Sequence, residues 1–291
     1  MVIDMSAITE CRSCGTSDLI SILSLGNQYP SNFVDDDFSP NEKDKIPLEL
    51  VFCRKKECGL LQLKHTASRE SLYKQYWFRS GLNETMRKAL QDITEGIEKR
   101  ISLSESDIVL DIGCNDGTLL RSYKSKVKLV GFEPASNLIH EAEEGTDLII
   151  NNFFSFFEFA QHFLGERIKV ITSIAMFYDL EDPNSFVTDI VNCLDQSGIW
   201  VIQMAYLIPM LELNAFDNIV HEHLEYYSLK SLKNLLESHG LEIFDVELND
   251  VYGGSFRVFV KNKNNSQIQI QNSVDELLAR EERFGLSEKQ T

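Results

Sequence analysis

Basic residues are scarce in this sequence. Its 291 residues include 28 lysines and arginines against 45 aspartates and glutamates, and the formal net charge is −17. Nucleic-acid grooves and anionic membrane surfaces are bound through clustered lysine and arginine side chains. We therefore expect neither a nucleic-acid partner nor attachment to a membrane surface.

A long uninterrupted apolar run is also lacking. The longest, from Ile199 to Leu211, is broken by Gln203 and Pro209 and falls short of the roughly 20 residues that cross a bilayer. Residues 1–10 are too short and too acidic a segment for a secretory signal. Internal repeats and low-complexity segments are missing as well. We expect a soluble, cytoplasmic protein of roughly two domains.

Cysteines number only six, but four of them form two pairs. Two residues separate Cys11 from Cys14, as in Cys-x-x-Cys, and the spacing between Cys53 and Cys58 is wider. A glycine directly follows each pair. Four thiolates complete a tetrahedral zinc site with no position left for water, which makes the predicted zinc structural. The metal would contribute folding energy to residues 1–66. Four reduced surface cysteines are the alternative interpretation.

Residues 108–117, Ile-Val-Leu-Asp-Ile-Gly-Cys-Asn-Asp-Gly, are the most informative stretch. A short β-branched run bounded by glycine predicts a buried strand, then a tight turn, and then a helix beginning near Thr118. Gly113 and Gly117 would let the backbone approach a ligand where a Cβ atom would clash. The turn lacks the Gly-x-Gly-x-x-Gly pattern that places a pyrophosphate at a helix N-terminus.

The charge of this turn separates two classes of ligand. Asp111 and Asp116 would repel a phosphate group but could hold a cation or a ribose hydroxyl. Glu133 lies twenty residues after Gly113, at the end of a second predicted strand, where a carboxylate can accept both hydroxyls of a ribose. S-adenosylmethionine (SAM) carries a sulfonium and an ammonium but no phosphate. The sequence therefore predicts SAM as the cofactor, with a purely structural turn as the alternative.

From residue 108 onward, predicted strands and helices alternate as in a doubly wound α/β sheet. The seven predicted strands are 108–112, 128–133, 148–150, 168–174, 198–204, 241–248 and 256–261. Ligands of such sheets lie at the carboxyl ends of the strands, where Asn152, Ala175 and Met176 fall. We expect these three residues around the cofactor, mostly as packing.

Between the cysteine pairs and the sheet, residues 70–100 predict a mostly helical bridge with an aromatic cluster. Tyr73 and Phe78 are interpreted as interdomain packing. Arg79 and Ser80 have polar ends with no periodic reason to be buried. We place these two residues near the cofactor or the substrate.

His221, Glu222 and His223 follow the fifth strand and so lie above the cofactor edge. A zinc-protease site needs two histidines four residues apart on one helix face, so a metal site is disfavoured here. In extended backbone both imidazoles would face one pocket and Glu222 another. Histidine suits proton removal near neutral pH, which favours catalysis over the alternative of structural histidines.

Together these motifs resemble the sugar C-methyltransferase family, in which a small zinc-binding domain precedes a class I SAM-dependent methyltransferase domain with a Rossmann-like α/β fold. The resemblance rests on Cys11-x-x-Cys14, Cys53 to Cys58 with Gly59-Leu-Leu-Gln62, Tyr76-Trp-Phe-Arg-Ser-Gly81 with Asn83-Glu-Thr-Met86, Asp111 to Gly117, Phe132-Glu-Pro134, His221-Glu-His223 and Gly253-Gly-Ser255. It implies cofactor binding by Asp111, Gly113, Asn115, Asp116, Gly117, Glu133 and Pro134.

The resemblance also implies the reaction. The substrate would be a nucleotide-linked 4-keto-deoxysugar, methylated at the carbon next to the ketone. His223 matches the general base, and Glu222 a residue that orients the base or stabilises the enolate. His221 fills the first histidine of the motif, and Tyr76 matches an aromatic residue near the methyl group. An O- or N-methyltransferase on a related sugar, or a SAM-binding module without catalysis, stay open as alternatives.

We predict a zinc-binding domain over 1–66, a helical bridge over 67–104, a methyltransferase domain over 105–265 and the start of a truncated C-terminal region over 266–291. Two departures from the family accompany this assignment. Members of the family usually continue into a third α/β domain, so we expect a truncated chain or a smaller substrate. Val220 stands where many members have a tyrosine, which indicates a different sugar or keto position. The oligomeric state is left open.

Overall fold

The N-terminal part of the chain folds as short antiparallel strands beside the cysteine pairs. The computed structural model describes residues 5–30, 41–73 and 75–286. The first five strands are β1 (Met5–Ala7), β2 (Leu19–Gln28), β3 (Ile46–Cys53), β4 (Leu61–Leu63) and β5 (His65–Ala67). β1 pairs with β5, and β3 lies between β2 and β4 in a second sheet. Cys53 is the last residue of β3, and the other three paired cysteines lie in the turns before β2 and after β3.

The predicted bridge is helical over most of its length. Its helices are α1 (Arg69–Tyr73) and α2 (Glu84–Arg100). Asn83 caps α2, because its side-chain oxygen accepts a hydrogen bond from the Thr85 amide at 2.8 Å. One stripe of α2 is buried against the large sheet: Leu90, Ile93, Thr94, Gly96 and Ile97.

The second half of the chain supplies the remaining strands and helices. The strands are β6 (Ile108–Ile112), β7 (Lys128–Phe132), β8 (Leu148–Ile150), β9 (Ile168–Ile174), β10 (Leu194–Ala205), β11 (Glu225–Tyr226), β12 (Leu241–Asn249) and β13 (Ser255–Asn262). The helices are α3 (Ile139–Glu143), α4 (Phe156–His162), α5 (Pro183–Cys193), α6 (Leu207–Glu212), α7 (Leu229–Ser238) and α8 (Asn272–Phe284).

Seven of these strands form one mixed sheet in the order β12-β13-β10-β9-β6-β7-β8. β6 to β10 run parallel, whereas β13 is antiparallel to both of its neighbours. All five residues of β6 are buried, as expected for a parallel strand covered on both faces. The seven-stranded, doubly wound α/β prediction is confirmed.

The helix predicted from Thr118 is wrong. The chain forms only a 3-10 turn, Leu120–Ser122, after the glycine turn. The carboxylate of Asp116 accepts hydrogen bonds from both the amide (3.1 Å) and the hydroxyl (2.6 Å) of Thr118. Such side-chain turns compete with helical hydrogen bonding. Tyr123 then adopts an extended conformation, which ends the turn.

The segment that carries the two neighbouring histidines attaches to the N-terminal sheet and not to the seven-stranded one. β11 pairs antiparallel with β4, with Glu225 opposite Gln62. The Leu63 amide donates to the Leu224 carbonyl at 2.8 Å and extends this pairing. The smaller sheet therefore has the order β11-β4-β3-β2 and joins the two halves of the chain.

α8 is fixed to α7 by one buried carboxylate. Glu281 accepts hydrogen bonds from the amides of Leu229 and Lys230, in the first turn of α7, and from the hydroxyl of Tyr206 at 2.9 Å. Glu281 is 2 % exposed. Among the described residues no helix has both the length and the apolar character to span a bilayer.

Replacing Glu281 by alanine should lower the free energy of unfolding by about 2–3 kcal/mol, because two backbone donors and one hydroxyl lose their acceptor in a buried place. Glu282→Ala, at an exposed position of the same helix turn, is the matched control and should leave stability nearly unchanged. Urea unfolding followed by circular dichroism measures both. Equal stabilities for the two variants would contradict this role of Glu281.

Candidate active site

The four paired cysteines converge on one point. Their sulfur atoms all lie within 4.8 Å of one another, with Cys11 and Cys58 at 3.8 Å and Cys14 and Cys53 at 3.6 Å. None of them forms a disulfide. Zinc–sulfur bonds of about 2.3 Å in a tetrahedron place the sulfurs about 3.8 Å apart, so the cluster fits zinc. The predicted structural zinc site is confirmed.

Arg12 and Gln62 tie the zinc cluster to the adjoining strands. The Gln62 amide donates to the sulfur of Cys11 at 3.2 Å and accepts from the Arg12 amide at 3.1 Å. The Arg12 guanidinium donates to the Leu63 carbonyl at 2.6 Å and to the Thr66 hydroxyl at 2.7 Å. Hydrogen bonds around metal ligands fix their orientation, and here they also fix β4.

A cavity of about 1270 Å³ opens at the carboxyl ends of the parallel strands. It exceeds the roughly 300–1,000 Å³ of a single small-molecule site, so it has room for a cofactor and an acceptor together. Ten of the predicted site residues line it: Tyr76, Ser80, Gly113, Asn115, Glu133, Pro134, Asn152, Ala175, Met176 and His223. Phe78, expected to pack between domains, is 44 % exposed and also faces the cavity.

Asn115 and Glu133, which both line the cavity, are joined by a hydrogen bond. The Asn115 amide and the Ala135 amide each donate to one oxygen of Glu133 at 2.8 Å. The carboxyl is 5 % exposed, and burial raises its pKa. The Asn115 side chain accepts from the Ser80 amide and donates to the Phe78 carbonyl, both at 3.0 Å. Asn115 thus fastens residues 78–80 of the bridge to the glycine turn.

The backbone after two strands adopts left-handed conformations beside the cavity. Gly113 has φ of 73°, and Asn115 and Ala175 both have φ of 53°. Left-handed backbone is uncommon for residues other than glycine and clusters at functional sites. Ala175 is held there by its amide, which donates to the Gln203 carbonyl at 2.8 Å.

Asp111 and Asp116 lie behind the cavity wall and are not among the described residues that line it. Asp111 accepts from the Thr172 hydroxyl at 2.6 Å, and burial raises its pKa to about 7. Asp116 accepts from the Gly81 amide at 2.6 Å. Both carboxyls therefore position the turn from behind.

Arg79 and Gly117 are likewise outside the described lining of the cavity. Arg79 pairs with Glu141 at 2.9 Å. A Cβ atom at Gly117 would come within 2.9 Å of the Ala142 carbonyl oxygen, so glycine is required there by close packing against α3.

His223 lines the cavity with one ring nitrogen already engaged. Its Nδ1 lies 2.9 Å from the Asn218 carbonyl oxygen, and its ring packs edge-on against Tyr178 with centroids 4.4 Å apart. A carbonyl only accepts, so Nδ1 carries the proton and Nε2 keeps its lone pair. Burial lowers the pKa of His223, which favours this neutral form.

His221 lies elsewhere. It is buried, and its Nε2 contacts the Ile46 carbonyl oxygen at 3.2 Å in the N-terminal sheet. The expectation that both imidazoles face one pocket is wrong, because the backbone turns there: the His223 amide donates to the Val220 carbonyl at 3.2 Å. Glu222 is also outside the described lining, and its carbonyl oxygen lies 3.5 Å from the Tyr73 hydroxyl.

The described walls of the cavity are strongly acidic. They include eight carboxyl side chains: Glu70, Glu133, Glu158, Asp179, Glu181, Asp182, Asp189 and Asp217. Arg69 is the one lysine or arginine among the described lining residues. Sequence reasoning missed Tyr178 and Asp179, although their place directly after the end of β9 is where ligand-binding residues of such sheets occur.

Comparison with known proteins agrees with this geometry. A family model for a methyltransferase domain matches residues 82–246, and one for a zinc-binding domain matches residues 11–73. C-methyltransferase NovU of Streptomyces niveus is 30 % identical over 290 residues, which cover 96 % of this chain and 67 % of that protein.

Solved methyltransferases resemble the chain more distantly. Magnesium protoporphyrin IX methyltransferase of Synechocystis PCC 6803, with bound S-adenosylhomocysteine (SAH), is 12 % identical with a TM-score of 0.45, covering 63 % of this chain and 89 % of that one. A SAM-dependent methyltransferase of Clostridium acetobutylicum is 13 % identical with a TM-score of 0.45, covering 60 % and 91 %.

Cys53→Ser should release the zinc and lower the melting temperature, since three thiolates hold the ion less tightly than four. Cys193→Ser, in α5 and remote from the cluster, should keep the zinc even if it loses some stability. Atomic emission gives the zinc content and circular dichroism the melting curve. A full equivalent of zinc in purified Cys53→Ser would contradict the four-cysteine site.

Proposed function

The chain belongs to the SAM-dependent methyltransferases that carry an N-terminal zinc-binding domain, and on that basis we propose that it methylates the carbon next to the carbonyl of a nucleotide-linked keto-deoxysugar. The observation that carries the proposal is the position of His223, which lies at the wall of a cavity large enough for two ligands with its Nδ1 2.9 Å from the Asn218 carbonyl oxygen. The name of the relative NovU, a C-methyltransferase, supports methylation at carbon.

The cofactor half of the cavity suits SAM. Glu133 is fixed by two backbone amides and keeps lone pairs for the hydroxyls of a ribose. Gly113 and Asn115 bring backbone to the ligand without an intervening side chain, and Met176 lies across from Gly113. The acidic lining fits a cofactor that is cationic and free of phosphate. SAM bound here supplies an electrophilic methyl group.

His223 supports the carbon chemistry. A proton on the carbon next to a ketone is acidic enough for an imidazole to remove, and a positioned base contributes about 10²–10⁴-fold to such a step. The Asn218 carbonyl fixes the tautomer, and Tyr178 fixes the plane of the ring. The Tyr226 hydroxyl also donates to the Asn218 carbonyl, at 3.3 Å, and holds that carbonyl in place.

The charge of the cavity orients the acceptor. The described cavity has no basic side chain deep inside that could pair with a diphosphate. Arg69 is the first residue of α1, and its guanidinium covers the ring of Phe153 at 4.4 Å. We therefore place the sugar ring next to His223 and the nucleotide diphosphate at the mouth of the cavity. The acceptor half is completed by apolar and amide groups of Leu213, Ala215 and Asn218.

Glu133→Gln should weaken binding of the product SAH by about 10–100-fold, because a hydrogen bond to a charged carboxylate contributes about 1.5–3 kcal/mol. The side-chain amide of the variant would also place its own N–H against one of the two backbone N–H groups that donate to Glu133. Glu143→Gln, an exposed residue of α3, should bind as the wild type does. Isothermal titration calorimetry measures both, and unchanged affinity in Glu133→Gln would remove that carboxylate from the cofactor site.

The function is tested by proton exchange. Protein with bound SAH, in heavy water with a panel of nucleotide-linked 4-keto-sugars, should exchange the proton next to the ketone. His223→Ala should lose exchange and methylation while keeping SAH affinity, and His162→Ala, at an exposed position of α4, should keep all three. The exchange should fall as pH falls through the lowered pKa of His223, since the base must be unprotonated.

Failure of the wild type to exchange any keto-sugar, in a sample that binds SAH, would contradict carbon methylation. Methyl transfer from labelled SAM to hydroxyls or amines of the same panel would then identify an O- or N-methyltransferase. No transfer to any acceptor would identify a binding module.

A further inference from the structure

A carboxyl group without a role in the reaction above lies beside the base. Asp179 ends the 3-10 turn Phe177–Asp179 that follows β9, and its amide donates to the Met176 carbonyl at 3.1 Å. Its neighbour Tyr178 packs against the ring of His223. Asp179 and His223 both line the cavity. One short turn therefore brings an acid to the place where the base meets the acceptor.

The carboxyl of Asp179 is buried with few partners. Its Oδ1 has no hydrogen-bond partner within the part of the chain that the structure describes. The Tyr73 hydroxyl lies close to the carboxyl and acts against burial by lowering its pKa. No lysine or arginine in the described part of the chain forms an ion pair with this carboxyl.

The surroundings keep this group neutral. Burial raises the pKa of Asp179 well above its usual range, and the negative charges of Glu222 and Glu225 raise it further. The remaining groups that face it are the phenols of Tyr73 and Tyr226, whose pKa values burial also raises. A protonated carboxyl can donate a hydrogen bond, which an ionised one cannot.

We propose that Asp179 is a further catalytic residue, whose carboxyl O–H donates a hydrogen bond to the carbonyl oxygen of the acceptor while Nε2 of His223 takes the neighbouring proton. The proposal rests on the proposed carbon methylation. The C–H bond breaks, its electron pair forms the C=C bond of the enolate, the carbonyl oxygen takes the negative charge, and the proton goes to His223. A carboxylic acid kept neutral by an apolar site is an established way to stabilise such an oxygen.

Tyr73 supports this arrangement from behind. Its hydroxyl donates a hydrogen bond to the Glu222 carbonyl at 3.5 Å, which holds the phenol beside the Asp179 carboxyl. We assign Tyr73 to positioning and not to contact with the acceptor.

Proton exchange in heavy water with SAH and the active keto-sugar tests the role of Asp179. Asp179→Ala should reduce the exchange rate about 10²–10³-fold, the loss found when one donor to an oxyanion is removed. Asp179→Asn should keep exchange within about tenfold of the wild type, because its amide still donates. Asp275→Asn, an exposed acid of α8, is the control and should exchange normally.

The pH profile gives a second, independent measurement on the unmodified protein. Wild-type exchange should fall at high pH, as Asp179 loses its proton and with it the hydrogen bond. Asp179→Asn should not show this fall, since an amide does not ionise. A wild-type rate that stays level up to strongly alkaline pH would overturn the proposal even if both variants failed to fold.

The outcomes separate the two proposals. Absence of exchange in the wild type overturns both, and it does so without any variant. Exchange in the wild type with equal loss in Asp179→Asn and Asp179→Ala shows that the carboxylate form is needed, for example to bind an ammonium of the acceptor, and overturns only the hydrogen-bond donor. Normal exchange in Asp179→Ala has the same consequence. SAH affinity, measured alongside, identifies any variant that is merely misfolded.

Discussion

The pairing of β11 with β4 is the constraint on which the candidate active site depends. His223 belongs to the segment that follows β10, where the chain leaves the seven-stranded sheet. Glu225, two residues after His223, begins β11 in the smaller sheet. β4 is joined to the zinc cluster by two contacts, since Arg12 donates to the Leu63 carbonyl and Gln62, a residue of β4, donates to the sulfur of Cys11. The N-terminal part of the chain therefore helps to fix the position of His223, the residue that we propose as the base.

Three carboxyls shielded from water line or support the cavity, and they differ in the hydrogen-bond donors that offset their burial. Asp111 has a hydroxyl donor, and Glu133 has two backbone amides. Asp179 has the Tyr73 phenol and an oxygen without a partner among the described residues. Well-compensated carboxyls shape the turn and its cofactor wall. The poorly compensated one lines the part of the cavity that we propose for the acceptor, where a ligand can provide the missing interaction, and that difference is a physical reason to separate their roles.

Much of the fold was predictable because its signals are local. Strand periodicity, glycine turns and cysteine spacing each depend on a few neighbouring residues, and the seven strands and the zinc cluster follow from them. The helix at Thr118 failed because the Asp116 side chain competes for the same backbone donor.

The remaining features depend on contacts between distant segments, which a single sequence does not display. A two-residue strand has no period, so the partnership of Glu225 with Gln62 was not visible. The direction of His221 follows from that partnership, because the segment turns to join the smaller sheet. Burial of Asp179 likewise depends on Tyr73 and Glu222, which the fold brings together from two other segments. The sequence thus predicted residues that line the cavity more readily than the directions of their side chains.

The same burial acts in opposite directions on His223 and Asp179, the two groups that we propose meet the acceptor. Removing water disfavours the charged form of each, so it lowers the pKa of His223 and raises that of Asp179. Both shifts favour the neutral forms that the proposed reaction needs at its start. Charge develops only when the proton moves, as imidazolium and enolate together, and a donor already aimed at the oxygen then interacts most strongly. If either group were already ionised, this interaction would not become stronger between the ground state and the transition state. Acceleration of the step depends on that gain in strength.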